Sequence, residues 1–210
     1  MTRPSISCAR SWQAEARRRL ALAPLLLALV AGAAAAPLPS GQERAALRAF
    51  LERTISDSES FPDRYAAEVW LVDMAARLAP FIGDPAARLA LLRQVHAAAT
   101  ASGLAPELVL AVIEVESAFD RFAVSRAGAQ GLMQVMPFWK GEIGRPGDNL
   151  TQNRTNLSYG CRILEFYLER EQGNLRRALA AYNGSSGSRR YPDRVEAAWR
   201  KRWRTAPLPW

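Results

Sequence analysis

Residues 110–137 read LAVIEVESAFDRFAVSRAGAQGLMQVMP and join an apolar helical pattern to a glycine-rich loop. Val109, Val112 and Ile113 recur at helical spacing, and Glu116 takes the next place on the same stripe. Burial disfavours the charged form of a carboxyl group and raises its pKa, as a general acid working near neutral pH requires. The spacing alone favours a buried glutamate that only stabilises the fold. Whether Glu116 is structural or catalytic therefore depends on the downstream residues of the chain.

Three further sequence blocks lie downstream of this glutamate. The first is the loop 128–137, GAQGLMQVMP, whose two glycines and final proline predict a tightly folded backbone. The second is Asn156-Leu157, with Gly160 three residues after the leucine. The third is Ala181-Tyr182-Asn183-Gly184.

In this order and spacing, the four blocks resemble the catalytic domain of the soluble lytic transglycosylases, which is similar to goose-type lysozymes. The resemblance covers residues 98–195, near half the chain, and is closest to the short, stand-alone members of the family. It implies an all-α, lysozyme-like fold, here preceded by an N-terminal helical extension. It also implies an enzyme that acts on peptidoglycan glycan strands as a monomer, with no metal and no other cofactor.

The resemblance assigns roles to individual positions. Glu116 matches the family's single catalytic glutamate, and Ser125 matches a serine that helps to place the substrate's N-acetyl group. Met133 and Gln134 match residues that line the saccharide groove. Tyr182 matches a tyrosine whose hydroxyl reaches the catalytic region, and Asn183 matches the asparagine beside it. Asn156 and Gly160 match positions that support the groove.

Three departures from the family pattern lie at the edges of this site. Arg126 follows Ser125 where the family has proline, and Phe138-Trp139-Lys140 follows the loop where the family often has Thr-Ala. Gly184 and the serine-rich residues after it replace the family's Ala-Gly-Pro. These changes affect the groove edges and the subsite preferences, and they leave the acid in place.

A single carboxylate in the motif-rich region restricts the mechanism. Glycoside hydrolysis ordinarily uses two carboxylates, and neither Asp120 nor Asp148 forms a recognisable pair with Glu116, although substrate-assisted enzymes are exceptions to this rule. We therefore expect Glu116 to act first as acid and then as base, cleaving the β-1,4 bond between N-acetylmuramic acid and N-acetylglucosamine and closing a 1,6-anhydro ring. A hydrolytic, goose-type-like lysozyme and a non-catalytic secreted peptidoglycan-binding protein remain as alternatives.

The N-terminus predicts export. Arg17-Arg18-Arg19 precedes the apolar run of residues 20–36, which ends in small residues, as in a secretory signal peptide. We expect cleavage between Ala33 and Pro37 and a periplasmic mature protein, with an uncleaved anchor as the alternative. The whole chain carries a charge of +8, but residues 37–210 hold 23 basic and 19 acidic side chains, a net of +4. That mild excess excludes a nucleic-acid-binding footprint.

The rest of the chain shows helical patterns. We predict a signal peptide over residues 1–36, a helical extension over 37–97, a lytic transglycosylase domain over 98–203 and a tail over 204–210. One apolar face of the helix in 64–82 is predicted over Val69, Val72, Ala76 and Ala79, widened by Leu71, Ala75 and Leu78. Residues 138–148 are predicted to be irregular. Asp84 is predicted to cap the helix over 86–102, which follows Pro85, Asn174 is predicted to cap the helix that ends at 181, and residues 191–193 lead into a last helix that ends near 203. The other predicted helices are 42–53, 64–82, 106–116 and 156–170.

No motif in residues 37–97 carries chemistry, and the alternatives for that segment are an extension of the catalytic domain, packing against the back of that domain, and contact with cell-envelope machinery. Cys161, the one cysteine after the signal segment, shares a helical stripe with leucines and is expected in the core. His96 has no metal-ligand partner at suitable spacing, and Trp199 and Trp203 share a helix face that favours packing. Two aromatic residues are left open between packing and groove wall, Trp139 and Tyr191.

Overall fold

The computed structural model describes residues 63–205 of the 210-residue chain. The predicted signal segment 1–36, the helix predicted over 42–53 and residues 206–210 of the predicted tail lie outside the described residues. The described elements are α1 Arg64–Leu78, α2 Pro85–Ala101, α3 Pro106–Ser117, α4 Trp139–Ile143, α5 Asn153–Arg170, α6 Leu175–Tyr182, α7 Arg190–Ala198 and a closing π-helical turn, Trp199–Trp203.

The predicted all-α class is confirmed for residues 63–205. No extended strand occurs in that range, where strand-like pairing is limited to two isolated antiparallel bridges, Val124 with Gln130 and Gln130 with Val135. Both bridges lie in the long loop between α3 and α4. The loop is therefore held by its own backbone hydrogen bonds, and helices supply the frame around it.

Side-chain caps fix the starts of two predicted helices. The Asp84 side chain accepts hydrogen bonds of 3.0 and 3.3 Å from two backbone N–H groups in the first turn of α2, which begins at Pro85. Asn174 accepts a hydrogen bond of 3.0 Å from the N–H of Arg177 at the start of α6. Caps of this kind satisfy N–H groups that have no partner inside the helix, and both predicted starts are confirmed.

The buried face of α1 is the edge of the predicted face and not its centre: Leu71 and Leu78, predicted to widen that face, are fully buried. Val69 and Val72 are 57% and 54% exposed. Two apolar stripes run along this helix, and the packing of α1 against α2 and the C-terminal turn selects the other one. Periodicity identifies an apolar stripe but not the element that will cover it. The residues of the buried stripe are Ala67, Leu71, Met74 and Leu78.

The domain boundary predicted at residues 97–98 falls inside α2, which runs unbroken from Pro85 to Ala101. Buried residues of α1 and α2 belong to the same core as those of α3 and α5. The Arg77 guanidinium also donates a hydrogen bond of 2.7 Å to the backbone oxygen of Arg202 in the C-terminal turn. The described part of the predicted extension is therefore packed into the same core and has no separate one.

Among the described helices, none is by itself long and apolar enough to cross a membrane. α2 and α3 pass that test only as a pair, with a bend of 117° between them.

Helix α3 runs through the core and places Glu116 in its last turn, near the surface. Every residue from Leu108 to Ile113 is buried. The helix ends because Ala118 and Phe119 adopt positive φ angles of 49° and 69°, in the left-handed region that commonly terminates helices. Glu116 therefore stands in the last turn of a buried helix, where the chain changes direction.

Glu114, two residues before Glu116, faces a different part of the molecule. Its carboxylate accepts hydrogen bonds of 2.7 Å from the indole N–H of Trp203 and 3.2 Å from Nε of Arg202. Trp199 and Trp203 are 4% and 0% exposed, which confirms their predicted packing role. Glu114 thus joins α3 to the C-terminal turn.

Cys161 and His96 both lie in the interior. Burial of Cys161 raises the pKa of its thiol to about 12, so the group stays protonated and unreactive at neutral pH. His96 packs edge-on against Trp70, with ring centroids 5.1 Å apart, and burial lowers its pKa below the ordinary value. The core position predicted for Cys161 is confirmed, and His96, expected to be either a surface or a packing residue, is a packing residue.

Candidate active site

A cleft of about 290 Å³ is lined by residues from α3, the α3–α4 loop, α4, α5 and the end of α6. Trp139, for which the sequence did not decide between packing and groove wall, is one of the lining residues of the cleft. Ile163 of α5 is another. Segments that are distant in the sequence therefore meet around one space. Five residues predicted for the site line it together: Glu116, Ser125, Gln134, Tyr182 and Asn183.

Glu116 is partly buried in this cleft. The Tyr191 hydroxyl donates a hydrogen bond of 2.6 Å to its Oε1 atom. Burial raises the pKa of Glu116 above its ordinary value, while the Tyr191 hydrogen bond and the charge of Arg194 oppose that shift. Burial thus favours the protonated acid, and Tyr191 and Arg194 stabilise the carboxylate once it forms.

Tyr191 is the contact to Glu116 that sequence reasoning did not assign. It is 4% exposed, and burial together with the Glu116 charge raises the pKa of its hydroxyl well above the ordinary value. The hydroxyl therefore stays protonated and available as a donor. The only signal in the sequence is an aromatic residue before Pro192 near a helix start, 75 positions from Glu116.

Tyr182 lines the cleft and is held by Met133, which lies behind the wall. The Tyr182 hydroxyl, predicted to reach the catalytic region, donates a hydrogen bond of 2.8 Å to the backbone oxygen of Met133. The Met133 side chain departs from the prediction that it lines the groove, because it is fully buried. It occupies the space left by Gly160, where a Cβ would come within 2.4 Å of the methionine sulfur. Met133 is therefore not a lining residue of the cleft: its backbone oxygen binds Tyr182, which does line it, and its side chain packs against α5.

Asn156 of α5 holds the loop from beneath. Its side-chain oxygen accepts a hydrogen bond of 2.8 Å from Met133 N–H, and its amide nitrogen donates to the backbone oxygens of Gln130 and Leu150 at 2.7 and 2.9 Å. Gly131 sits against this amide with φ of 75°, and a Cβ there would approach Leu150 O to 2.4 Å. The supporting role implied for Asn156 has a direct basis in these contacts.

Ser125 closes a tight turn at the edge of the cleft. Its N–H donates to the backbone oxygen of Ala129 at 2.9 Å, and its Oγ accepts from Ala129 N–H at 3.0 Å. The hydroxyl proton is not used in either bond. Ser125 can therefore donate that proton to an acceptor in the cleft.

Gln134 and Asn183 lie on the cleft with their amide nitrogens engaged. Gln134 has a positive φ of 49°, and its Nε2 donates to the backbone oxygens of Ala123 and Gly131 at 3.1 and 3.0 Å. Asn183 ends α6, and its Nδ2 donates to Ser185 Oγ at 3.0 Å. Both side chains are thus oriented by the protein itself, which favours a preformed site.

Asp120 and Asp148, the two other acidic residues considered for the mechanism, bind groups outside the cleft. Asp120 accepts from Phe122 N–H at 2.8 Å within its own loop, and Asp148 accepts from the Tyr159 hydroxyl at 2.5 Å. Among the described residues that line the cleft, Glu116 is the one carboxylate. Within residues 63–205, no three His, Cys, Asp or Glu side chains come together as a metal site requires.

The model of the transglycosylase SLT domain family matches residues 93–202, just over half of the chain. The chain belongs to this family. The match confirms the resemblance seen in the sequence, and it agrees with the lysozyme-like, helical fold implied there. Its first residue, Arg93, lies within α2, so the family domain begins inside that helix.

Curated relatives show the same likeness over part of their length. Membrane-bound lytic murein transglycosylase C of Photorhabdus laumondii is 33% identical over 116 residues, covering 48% of this chain and 32% of the relative. The protein of the same name from Yersinia pestis is 31% identical over 110 residues, covering 45% and 31%. This chain's match therefore spans about a third of the length of these relatives.

Among solved structures, an inactive mutant of lytic transglycosylase Slt from Pseudomonas aeruginosa is similar to the SLT domain of this chain. The sequences are 30% identical, the TM-score is 0.41, and the match covers 47% of this chain and 17% of the other.

Proposed function

We propose that this chain is a peptidoglycan lytic transglycosylase, which cleaves the β-1,4 bond between N-acetylmuramic acid and N-acetylglucosamine and forms 1,6-anhydro-N-acetylmuramic acid. The observation that carries this proposal is Glu116, the one carboxylate among the described residues lining the cleft, with a raised pKa and Tyr191 as its partner. A lone carboxyl does not supply the pair that ordinary glycosidases use. Family membership points to the same chemistry.

The first step uses Glu116 as an acid. Its protonated carboxyl gives a proton to the glycosidic oxygen, and the N-acetyl carbonyl of N-acetylmuramic acid attacks the anomeric carbon as that bond breaks. Burial supports this step because it keeps a larger fraction of the carboxyl protonated near neutral pH. The free hydroxyl proton of Ser125 is suited to orient the acetamido group.

The second step uses the same residue as a base. The Glu116 carboxylate takes the proton of the muramyl C6 hydroxyl, whose oxygen attacks the anomeric carbon and releases the N-acetyl carbonyl. The carboxyl returns to its protonated form and no water is consumed. The Tyr191 hydrogen bond and the Arg194 charge support this step because they stabilise the carboxylate formed in the first one.

The test is the product released from purified sacculi. Anhydro-ended fragments, identified by mass spectrometry, are the expected result, with little product of water addition. Fragments that have gained one water would instead identify a hydrolytic lysozyme. Binding to sacculi without any released fragment would identify a non-catalytic peptidoglycan-binding protein. Either result would overturn the proposed reaction.

We further propose that the chain acts as a monomer on glycan strands in the periplasm, after export by the segment 1–36. The relatives are named membrane-bound murein transglycosylases, which supports action in the cell envelope. Cell fractionation of the full chain tests the location. Recovery of the uncleaved protein in the membrane fraction would favour an anchor over a cleaved signal.

Tyr191→Phe is expected to move the pH dependence of the reaction. Loss of the hydroxyl removes a bond that stabilises the carboxylate, while burial of Glu116 remains, so the pKa of Glu116 rises further. The first step needs the protonated acid, so the decline of kcat/KM at high pH moves to higher pH. The maximal rate falls about tenfold because the carboxyl loses its fixed orientation. A pH profile on soluble glycan strands measures both.

Tyr182→Phe is the control for this prediction. Its hydroxyl bonds to Met133 O and not to Glu116, so its loss lowers the rate without moving the high-pH decline. Equal displacement of the two profiles, or an unmoved profile for Tyr191→Phe, would contradict the role given to Tyr191.

A further inference from the structure

An aromatic patch adjoins the cleft and is not used by the proposed reaction. Phe138 and Phe166 are 60% and 50% exposed. The ring of Phe138 lies 5.1 Å from that of Trp139, which lies 6.5 Å from Tyr167, which in turn lies 5.3 Å from Phe166. We call these four residues the aromatic platform: Phe138 lies just before α4, Trp139 begins α4, and Phe166 and Tyr167 belong to α5. Because Trp139 also lines the cleft, the platform is continuous with it.

The core does not require the exposed rings of this platform. Phe138 stands before the first residue of α4, and Phe166 faces outward from α5, so neither contributes its full area to the buried interior. Large apolar side chains that remain exposed beside a cleft are typical of binding surfaces. The stretch Phe138-Trp139-Lys140 is also where this sequence departs from the family pattern of Thr-Ala.

The cleft is too small to hold a long polymer, which indicates what kind of group could bind on the platform. A volume of about 290 Å³ is at the lower end for small-molecule sites, whereas the substrate in the proposed function is a long polymer. Sugar rings beyond the bond to be cleaved must therefore lie on the surface next to the cleft. A β-linked pyranose ring carries axial C–H groups on its faces, and these suit the electron-rich face of an aromatic ring.

We propose that the aromatic platform is a distal sugar subsite, in which a pyranose ring of the glycan strand, away from the cleaved bond, stacks on Phe138 next to Trp139. The proposal rests on the proposed function because it takes a glycan strand as the occupant. Continuity through Trp139 favours the next sugar of the same strand over a separate partner. A stem peptide, rich in carboxylates and amines, is less suited to these apolar faces.

The experiment measures binding by isothermal titration calorimetry in a Glu116→Gln background, where the acid is absent. The probes are β-1,4-linked N-acetylglucosamine oligosaccharides, from the disaccharide to the hexasaccharide, which carry no stem peptide. Phe138→Ala is expected to weaken binding of the hexasaccharide about tenfold and binding of the disaccharide less than twofold. Phe166→Ala, farther along the platform, is expected to weaken the hexasaccharide only.

Tyr65→Ala is the matched control, because Tyr65 is a 77% exposed aromatic residue on α1, a helix with no residue in the cleft. It should bind every oligosaccharide as the Glu116→Gln parent does. Equal losses at all lengths for Phe138→Ala, or no loss at any length, would overturn the subsite. A parallel titration with peptide-bearing glycan strands tests the stem peptide: a loss confined to those strands would identify the stem peptide as the occupant and would also overturn the subsite.

The outcomes separate this subsite from the proposed reaction. Binding in the Glu116→Gln background does not depend on whether the native protein makes anhydro products or adds water. Hydrolytic products would therefore overturn the proposed reaction and leave a length-dependent loss intact. Anhydro products together with a length-independent loss would overturn the platform alone.

Discussion

Glu116→Gln is expected to reduce the release of anhydro-ended fragments from purified sacculi by at least about a thousandfold. General acid–base catalysis contributes about 10²–10⁴-fold to an enzymatic rate, and here one residue supplies both the acid and the base. Gln keeps the size of the side chain and can still accept the Tyr191 hydrogen bond. Mass spectrometry of digests at matched protein concentration measures the loss.

The folding stability of the variant separates lost chemistry from misfolding. Burial raises the folded-state pKa of Glu116, so ionisation above the unfolded-state pKa destabilises the folded protein, and the full cost is present above the folded-state pKa. Gln is never charged, so Glu116→Gln should be at least as stable as the native protein at pH 7. Any gain should disappear as the pH falls below the ordinary glutamate range. Thermal melts of both proteins, at pH 7 and at a pH below the ordinary glutamate pKa, measure this difference in stability.

Glu114→Gln is the matched control on the same helix. The Glu114 carboxylate accepts hydrogen bonds from Trp203 and Arg202 and takes no part in the cleft. Its replacement should lower the free energy of unfolding by about 1–2 kcal/mol while the folded protein keeps its activity. Near-normal release of anhydro fragments by Glu116→Gln would remove Glu116 from the reaction, whatever the behaviour of Glu114→Gln.

Helix positions could be predicted because their starts are local events. A cap such as Asp84 or Asn174 satisfies N–H groups two or three residues away, and Pro85 or Pro106 fixes the first turn. Each of these signals lies within one turn of the helix that it starts. The structure keeps those starts at or within a few residues of the predicted positions, since no distant contact competes with them.

Features that depend on distant contacts could not be predicted. The stripe of Val69 and Val72 is as apolar as the buried one, and only the packing of α2 and the C-terminal turn leaves it exposed. The five-residue helix α4 lies between Pro137 and Gly144 and contains a glycine, so its local pattern is that of a loop. Such a short helix depends on packing, here through Trp139 against the core.

The residues of the candidate site also fall into those that could be predicted from the sequence and those that depend on distant contacts. Glu116, Ser125, Gln134, Tyr182 and Asn183 could be predicted because they belong to one recognisable pattern, whereas the apolar stripe that holds Glu116 would by itself indicate a structural glutamate. Met133 was misplaced because a motif gives the residue but not whether its side chain or its backbone faces the groove. Tyr191 has no local signal of its partner, since only the packing of α7 against α3 brings the two together.

Asn156→Ala is expected to lower the free energy of unfolding by about 3–5 kcal/mol, because three buried backbone groups would lose their partner. These groups are the N–H of Met133 and the backbone oxygens of Gln130 and Leu150. Asn156 itself is 1% exposed, so water does not readily replace the amide. A thermal melt should show a drop in Tm of about 10 °C for a domain of this size.

Asn153→Ala is the matched control, because Asn153 is the first residue of the same helix and its side-chain oxygen is buried with no hydrogen-bond partner. Its removal should not lower the free energy of unfolding, because that oxygen has no hydrogen bond to lose. Asn156→Ala should also lower kcat/KM at temperatures where the variant is fully folded, since Asn156 fixes the N–H of Met133 while Tyr182 binds the oxygen of the same residue. One substitution therefore loosens the α3–α4 loop and the residue that holds the Tyr182 hydroxyl. A variant that melts like the native protein would show that the loop is held by its own backbone bridges and not by this amide.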